Sequence, residues 1–346
     1  MKNILFWLSR KINYPLVSPQ VLQISLTYRC NLRCKMCSIA NLLPVEEELS
    51  TRQLYSIIDE AANFGIKEIL LTGGEPFLRD DIFELSRYIH QKGMRSIITT
   101  NALLIDEACA KKIAQSQISH IHISIDGLKE TNDFLRGPGT FEKIKDALKY
   151  LNQARKNIGF FSLGFACTVM DKNVQELSAL VQFADEEGVD VINFQPLVKD
   201  NANFLNKTLP LFWLDYKDIP VLANQIEKIK NTIYKHITVY EEPALNLIVK
   251  YYKGDLKRRD WVCFGGFKTV FVCFSKKQPL VYSCHGVCGN LDNLSLKRAW
   301  RSKEAYKLRL HSGGCRNLCL QSCYSLEAAG NINNLINYNF RKGKSG

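Results

Sequence analysis

The 346-residue chain has no run of about 18 apolar residues, so no helix is expected to span a membrane. An export signal is missing as well. "MKNILFWLSRKINYP" offers five apolar residues before Arg10 and Lys11, too few for a signal peptide. That segment reads as a short amphipathic helix, packed on its own domain or touching a membrane surface. The basic runs "LKRRD" (256–260) and "RKGKSG" (341–346) lack the interleaved aromatics of a single-strand nucleic-acid groove, so the net charge of +12 is assigned to solvated faces and no nucleic acid is expected as a partner. No repeat of fixed period and no low-complexity segment occurs. Apolar residues make up 46% of the chain, which excludes disorder as its ground state.

Cysteine is plentiful. Twelve in a chain without an export signal point to a cytoplasmic protein whose thiols serve metal or catalysis rather than disulfides. Three of them, Cys30, Cys34 and Cys37, stand in "TYRCNLRCKMCS" with no fourth nearby, whereas a structural zinc site takes four ligands. Thiolates at C-x3-C-x2-C spacing can hold three irons of a cubane [4Fe–4S] cluster and leave the fourth iron open to a small molecule. A zinc site completed by a distant residue is the competing reading.

Between residues 21 and 196 strand and helix patterns alternate. "VLQISLT", "IKEILLT", "MRSIITT", "HIHISID", "FFSLGFACTVM" and "VDVINFQPL" read as strands. Helices are predicted over 50–65, with Ser50 and Gln53 at capping-box spacing and Gly65 as the stop, and over about 80–92, 106–116, 141–156 and 173–187. Six such units predict parallel strands with helices outside, in an α/β fold. Polar side chains share one face of the first, fourth and sixth strands (Gln23, Ser25 and Thr27; His120, His122, Ser124 and Asp126; Asn193 and Gln195). That fits an open barrel around a wet interior better than a sheet covered on both sides. The motifs all follow strand ends: the cysteine triplet, "TGGEP" (72–76), "TTNA" (99–102), "SIDG" (124–127) and "NFQP" (193–196). In parallel barrels the active site lies at that end. Cys109 and Cys167 read as small buried hydrophobes. His120 and His122 read as hydrogen-bonded filler, or as a proton carrier.

"CNLRCKMC" followed by "GGEP" resembles the radical S-adenosylmethionine (radical SAM) superfamily over about residues 20–200. The resemblance implies an incomplete (β/α)6 TIM-like barrel. It also implies a [4Fe–4S] cluster on Cys30, Cys34 and Cys37 whose unique iron binds S-adenosylmethionine, and cleavage of that sulfonium to a 5′-deoxyadenosyl radical. Gly73, Gly74 and Glu75 would meet the methionine amine, with the glycines letting backbone approach the ligand. Asn101, Ser124 and Asp126 would lie near the ribose and carboxylate, Arg136 would face the carboxylate as a fork-shaped donor, and Gln195 would line the adenine pocket.

The tail adds a second signal. Seven cysteines fall between 263 and 323, around a hairpin pattern "TVFVCFSKKQPLVYSC". Cys263, Pro279 and Cys284, then "GNLDNLSLKRAWRS" and "CRNLCLQSC", resemble a SPASM/twitch extension, with Pro279 in place of the usual glycine. The C-x2-C-x5-C-x3-C run of the two-cluster form is absent. One auxiliary [4Fe–4S] cluster is therefore expected, held by Cys263 and Cys284 with two of Cys315, Cys319 and Cys323. Cys273 and Cys288 are spare or belong to a second cluster, and structural zinc is the alternative for the whole tail.

The predicted organisation is an N-terminal helix (1–19), the barrel (20–200), a helical connection (201–260), a small Cys-rich C-terminal domain (261–330) and a basic tail (331–346). Such extensions imply peptide or protein maturation, with a one-electron donor such as flavodoxin or ferredoxin. The alternatives are a small-molecule dehydrogenase or cofactor-biosynthesis enzyme, and a non-catalytic iron–sulfur electron carrier. The strand-end motifs count against the carrier. No N-terminal peptide-recognition domain is expected ahead of the barrel, which weakens the peptide reading.

Overall fold

The computed structural model describes residues 2–37, 48–159, 161–198, 209–239, 242–257, 260–275, 277–284, 286–314 and 319–320. Cys315, Cys323 and the tail at 331–346 lie outside the described residues.

Strands β1 (Val21–Thr27), β2 (Glu68–Gly73), β3 (Arg95–Thr100), β4 (His120–Ser124), β5 (Ser162–Val169) and β6 (Val191–Pro196) lie side by side in sequence order, every pair parallel. A two-residue strand, β7 (Thr238–Val239), extends the far edge. The helices α1 (Lys2–Lys11), α2 (Thr51–Phe64), α3 (Ile82–Gln91), α4 (Glu107–Gln115), α5 (Lys129–Arg136), α6 (Thr140–Asn157), α7 (Leu177–Glu186), α8 (Ile219–Asn231) and α9 (Glu242–Lys253) complete the barrel and its connection. The sheet does not close on itself, so the fold is the expected partial TIM barrel.

Strands β2, β3, β4 and β6 follow period two, whereas β5 buries Leu163, Gly164 and Phe165 in succession. Leu22, Ile24 and Leu26 of β1 and Ile121 and Ile123 of β4 are buried under the helices, while Gln23, Ser25, His120, His122 and Ser124 share the other face. Ser50 and Gln53 cap α2 reciprocally, and Gly65 ends it in the left-handed region at φ 86°. Helix α5 departs from expectation. It is eight residues long, and its buried side chains are Asn132 and Leu135. So short and polar a segment carries too little periodicity to stand out.

The tail does not hang apart from the barrel. Strands β8 (Thr269–Ser275), β9 (Gln278–Ser283) and β10 (Gly286–Asn290) belong to the same ten-stranded sheet, ordered β10-β9-β8-β1 and onward to β7. β8 pairs parallel with β1, Val21 opposite Thr269 through Ile24 opposite Val272, and β9 and β10 return antiparallel. Pro279 is not in the turn; it lies in β9 opposite Phe274, and Lys277 takes the left-handed turn position at φ 62°. Helices α10 (Leu296–Trp300) and α11 (Lys303–Gly314) follow. Helix α1 joins this region, with Phe6 fully buried against Phe264 and Phe267 and the Arg10 Nε donating to the Cys263 carbonyl at 2.8 Å. Burying that ring contributes about 2 kcal/mol. Among the described residues no helix is long and apolar enough to cross a membrane.

Candidate metal and cofactor site

The three N-terminal cysteines follow β1 on a loop stitched to its neighbours through backbone. Gly74 N–H donates to the Thr27 carbonyl at 2.7 Å and Glu75 N–H to the Arg29 carbonyl at 2.8 Å. Glycine is required here for close approach: a Cβ on Gly73 would strike the Thr27 carbonyl oxygen, one on Gly74 the Arg29 carbonyl oxygen, and Gly73 also has φ 144°. The glycines thus first let β2 reach the cysteine segment, a role beyond the ligand approach expected of them. Gly74→Ala should therefore be strongly destabilising, by about 3 kcal/mol or more, because both colliding groups are backbone. A melting curve close to that of the parent chain would refute this account.

Glu75 is fully buried, and both its oxygens are occupied. Oε1 accepts from the Thr100 hydroxyl at 2.7 Å and from Phe77 N–H at 3.1 Å, and Oε2 accepts from Asn101 N–H at 2.8 Å. Burial raises its pKa, against these three hydrogen bonds. The side chain thus clamps the end of β2 to the end of β3. Asn101 reaches on to the loop, donating through Nδ2 to Asn31 Oδ1 at 2.7 Å and lying 3.9 Å from Cys30 Sγ.

On the other side, Lys35 N–H donates to the Leu135 carbonyl at 2.9 Å, and Cys34 Sγ lies 3.8 Å from the Arg136 carbonyl. Burial pushes the Cys34 thiol up to about 11, and it raises Cys30 too. A cationic metal would reverse that cost by pairing with the thiolates. Arg136 Nη2 stands 2.6 Å from Asp126 Oδ2, and the Asp126 side chain has no exposure. Asp126 Oδ2 and Arg136 Nε are both buried, the first meeting the guanidinium only through this ion pair and the second without a hydrogen-bond partner. Asp126 Oδ1 accepts from Thr168 N–H at 2.8 Å. Asn173 Nδ2 donates to the carbonyls of Asp126 and Thr168, at 3.1 and 2.7 Å.

The structure thus joins Cys30, Cys34, Gly73, Gly74, Glu75, Asn101, Asp126 and Arg136 by direct contact. Cys37 is tied in through its N–H to the Cys34 carbonyl at 3.1 Å. Ser124 and Gln195 enter by position, half-buried on the inner faces of β4 and β6. Asn173 was missed; the end of the fifth strand was the one end where no motif stood out, and its polar residue lies four positions past β5. Glu48 was missed too. It binds the Thr27 hydroxyl, Arg29 Nε at 2.8 Å and Arg79 Nη1 at 3.2 Å, beneath the cysteine loop.

In the tail, Cys263, Cys284 and Cys319 are electrostatic neighbours, and burial foremost, then Cys319 and Cys284, raises the Cys263 thiol. Cys273 lies elsewhere, 3.5 Å from Ser25 Oγ, and Cys288 is buried near Arg309. Cys167 is fully buried in the helix-side core. Among the described residues no three His, Cys, Asp or Glu side chains close around a single ion.

Comparison with known proteins agrees with this geometry. Residues 24–184, from β1 into α7, match the Radical SAM superfamily. An AdoMet-dependent heme synthase of Nitratidesulfovibrio vulgaris is 36% identical over 300 residues, covering 81% of this chain and 78% of that protein. Fe-coproporphyrin III synthase of Methanosarcina barkeri is 39% identical over 176 residues, 50% of this chain, and the match spans 43% of that relative, less than half its length. In fold, the chain is similar to Streptococcus suis SuiB bound to S-adenosylmethionine, with a TM-score of 0.68 at 17% identity over 87% of this chain and 70% of that one. The chain belongs to the radical SAM superfamily. Its cofactors are accordingly a [4Fe–4S] cluster and S-adenosylmethionine.

Two features of the site fit that pair. The half-exposed cysteine loop offers three thiols and no fourth, and Arg136 Nε is a buried cationic donor without a hydrogen-bond partner, as a ligand carboxylate requires.

Proposed function

We propose that Cys30, Cys34 and Cys37 hold the [4Fe–4S] cluster, and that the chain is an enzyme acting on a carboxylate-bearing tetrapyrrole. When bound, the cluster would supply the one electron for reductive cleavage of S-adenosylmethionine, and with it the hydrogen-abstracting chemistry of this superfamily. The chain's own residues bind and orient. Arg136, fixed by Asp126, presents Nε to the methionine carboxylate. The Gly73–Glu75 backbone meets the amine, while the Glu75 side chain stays committed to β3. Asn101 steadies Cys30, and Ser124 and Gln195 line the nucleoside pocket from the inner faces of their strands. Cys263, Cys284 and Cys319, with one of Cys315 and Cys323, hold an auxiliary cluster in the tail, and a small one-electron carrier such as flavodoxin or ferredoxin supplies the reductant.

The observation that carries the radical reading is the contact set joining the cysteine loop to Asn101 on one side and to the Arg136–Asp126 pair on the other. The tetrapyrrole class is supported by the heme synthase alignment, which is too long to be confined to residues 24–184. Reconstituted protein given dithionite and S-adenosylmethionine under anaerobic conditions should release 5′-deoxyadenosine, faster with iron coproporphyrin III and with consumption of that ring. Acceleration by precursor peptides alone would move the chain to the peptide maturases. No release from cluster-loaded protein would leave an electron carrier.

A further inference from the structure

The opposite end of the barrel holds a cavity of about 730 Å³. It opens where the strands begin, at Val21, Glu68, Arg95, His120, Ser162, Val191 and Thr269, and α1 covers it with Lys2 and Asn3. Its charge is one-sided: Lys2, Lys67, Arg95 and Lys268 line it against a single carboxylate, Glu68. Glu68 is already paired with Arg95. Among the described residues no carboxylate forms an ion pair with Lys2 or Lys67. Burial and the proximity of Lys67 both push the Lys2 ammonium below its ordinary range, with Glu68 opposing. Crowded cations in a concavity focus positive potential and attract an anion.

The floor of this cavity is polar and neutral. His120 Nε2 and His122 Nδ1 are 3.2 Å apart, within hydrogen-bond distance, with the tautomer deciding which ring donates. Burial lowers them to about 4 and about 3, so neither ring is charged at neutral pH. Gly164 gives them room: a Cβ there would come within 2.7 Å of His120 Nε2 and 2.9 Å of His122 Nδ1. Two ring nitrogens at that separation could flank one metal ion, but the surrounding ammonium groups oppose a second cation. They favour an anion whose oxygens the neutral rings can hydrogen-bond.

We infer that the N-terminal end of the barrel is a binding site for a small multivalent oxyanion, a phosphate-bearing or polycarboxylate metabolite, held by Lys2 and Lys67 over the His120–His122 floor. This site is separate from the cysteine loop, which lies past the opposite ends of the same strands, so its ligand binds without displacing S-adenosylmethionine.

Titration calorimetry of the reconstituted chain, with S-adenosylmethionine present, tests this with inorganic triphosphate and with citrate. Saturable one-to-one binding of triphosphate assigns a phosphate ligand, and of citrate a polycarboxylate; either supports the site. The Lys2→Gln/Lys67→Gln double variant should bind about tenfold more weakly or worse, with its melting curve and 5′-deoxyadenosine release unchanged. Lys67→Glu should bind more weakly still. Binding of neither anion, or binding equally tight in both variants, overturns the assignment.

Discussion

Cys34→Ala is expected to abolish 5′-deoxyadenosine release, with loss of the cluster's visible absorption and of its iron. The thiol lies in the centre of the triplet, buried enough that its pKa is pushed up to about 11. A thiolate there is costly without a metal to pair with, and an alanine leaves the cluster only two of its three protein thiolates. The fold should survive. The loop is held by backbone bonds from Lys35 to Leu135 and from Gly74 and Glu75 to the β1 end, none of which uses the Cys34 side chain. Cys167→Ala is the matching control. That thiol is fully buried in the core and does not belong to the loop, so its removal should cost about 1 kcal/mol of stability and leave release intact. Release persisting in Cys34→Ala, or vanishing in Cys167→Ala, would break the assignment of the cluster ligands.

Arg136→Ala is expected to damage stability and S-adenosylmethionine binding together. Asp126 has no exposure, and with the guanidinium gone its charge stays buried beside Oδ1's single backbone donor, Thr168. Breaking a buried pair in this way costs about 3–5 kcal/mol, a fall in melting temperature of about 4–7 °C for a chain of this length. Adding Asp126→Asn to that variant should restore much of the stability, because the uncompensated charge is then removed. It should not restore binding, since the donor aimed at the ligand carboxylate is still missing. Arg136→Lys separates the two effects differently: the charge is kept, the fork is lost, and affinity should fall more than stability. If Arg136→Ala melts like the parent chain, the Arg136–Asp126 pair does not hold the site together.

Much of this could be read from local sequence. Strand period and helix caps are local properties, so the order of the six strand–helix units, the Ser50–Gln53 capping box and the Gly65 stop were all legible. The cysteine, GGE, Asn101 and Asp126 motifs converge because parallel strands deliver their ends to one rim. What escaped was non-local or too small. The pairing of β8 with β1 joins residues separated by almost the whole barrel, and nothing in either strand's composition names its partner. Helix α5 is a single polar octamer, yet it positions Arg136. Glu75 was legible as part of the segment expected to meet the amine, but its side chain's role as a clamp between strands was not, because a buried carboxylate finds its hydrogen-bond donors wherever they are nearest in space.

The β8–β1 ladder also bears on how the two cysteine groups are related. Both edges of β1 are occupied, one by the GGE strand and the other by the tail hairpin. Were residues beyond 260 cut away, the first barrel strand would be stripped along one flank, leaving unmet amide and carbonyl groups ready to recruit another chain. The cysteine-rich tail is thus carried on the same ribbon as the triplet, and the placement of β8 and β9 beside the triplet's strand is set by a hydrogen-bonded seam and not by a tether.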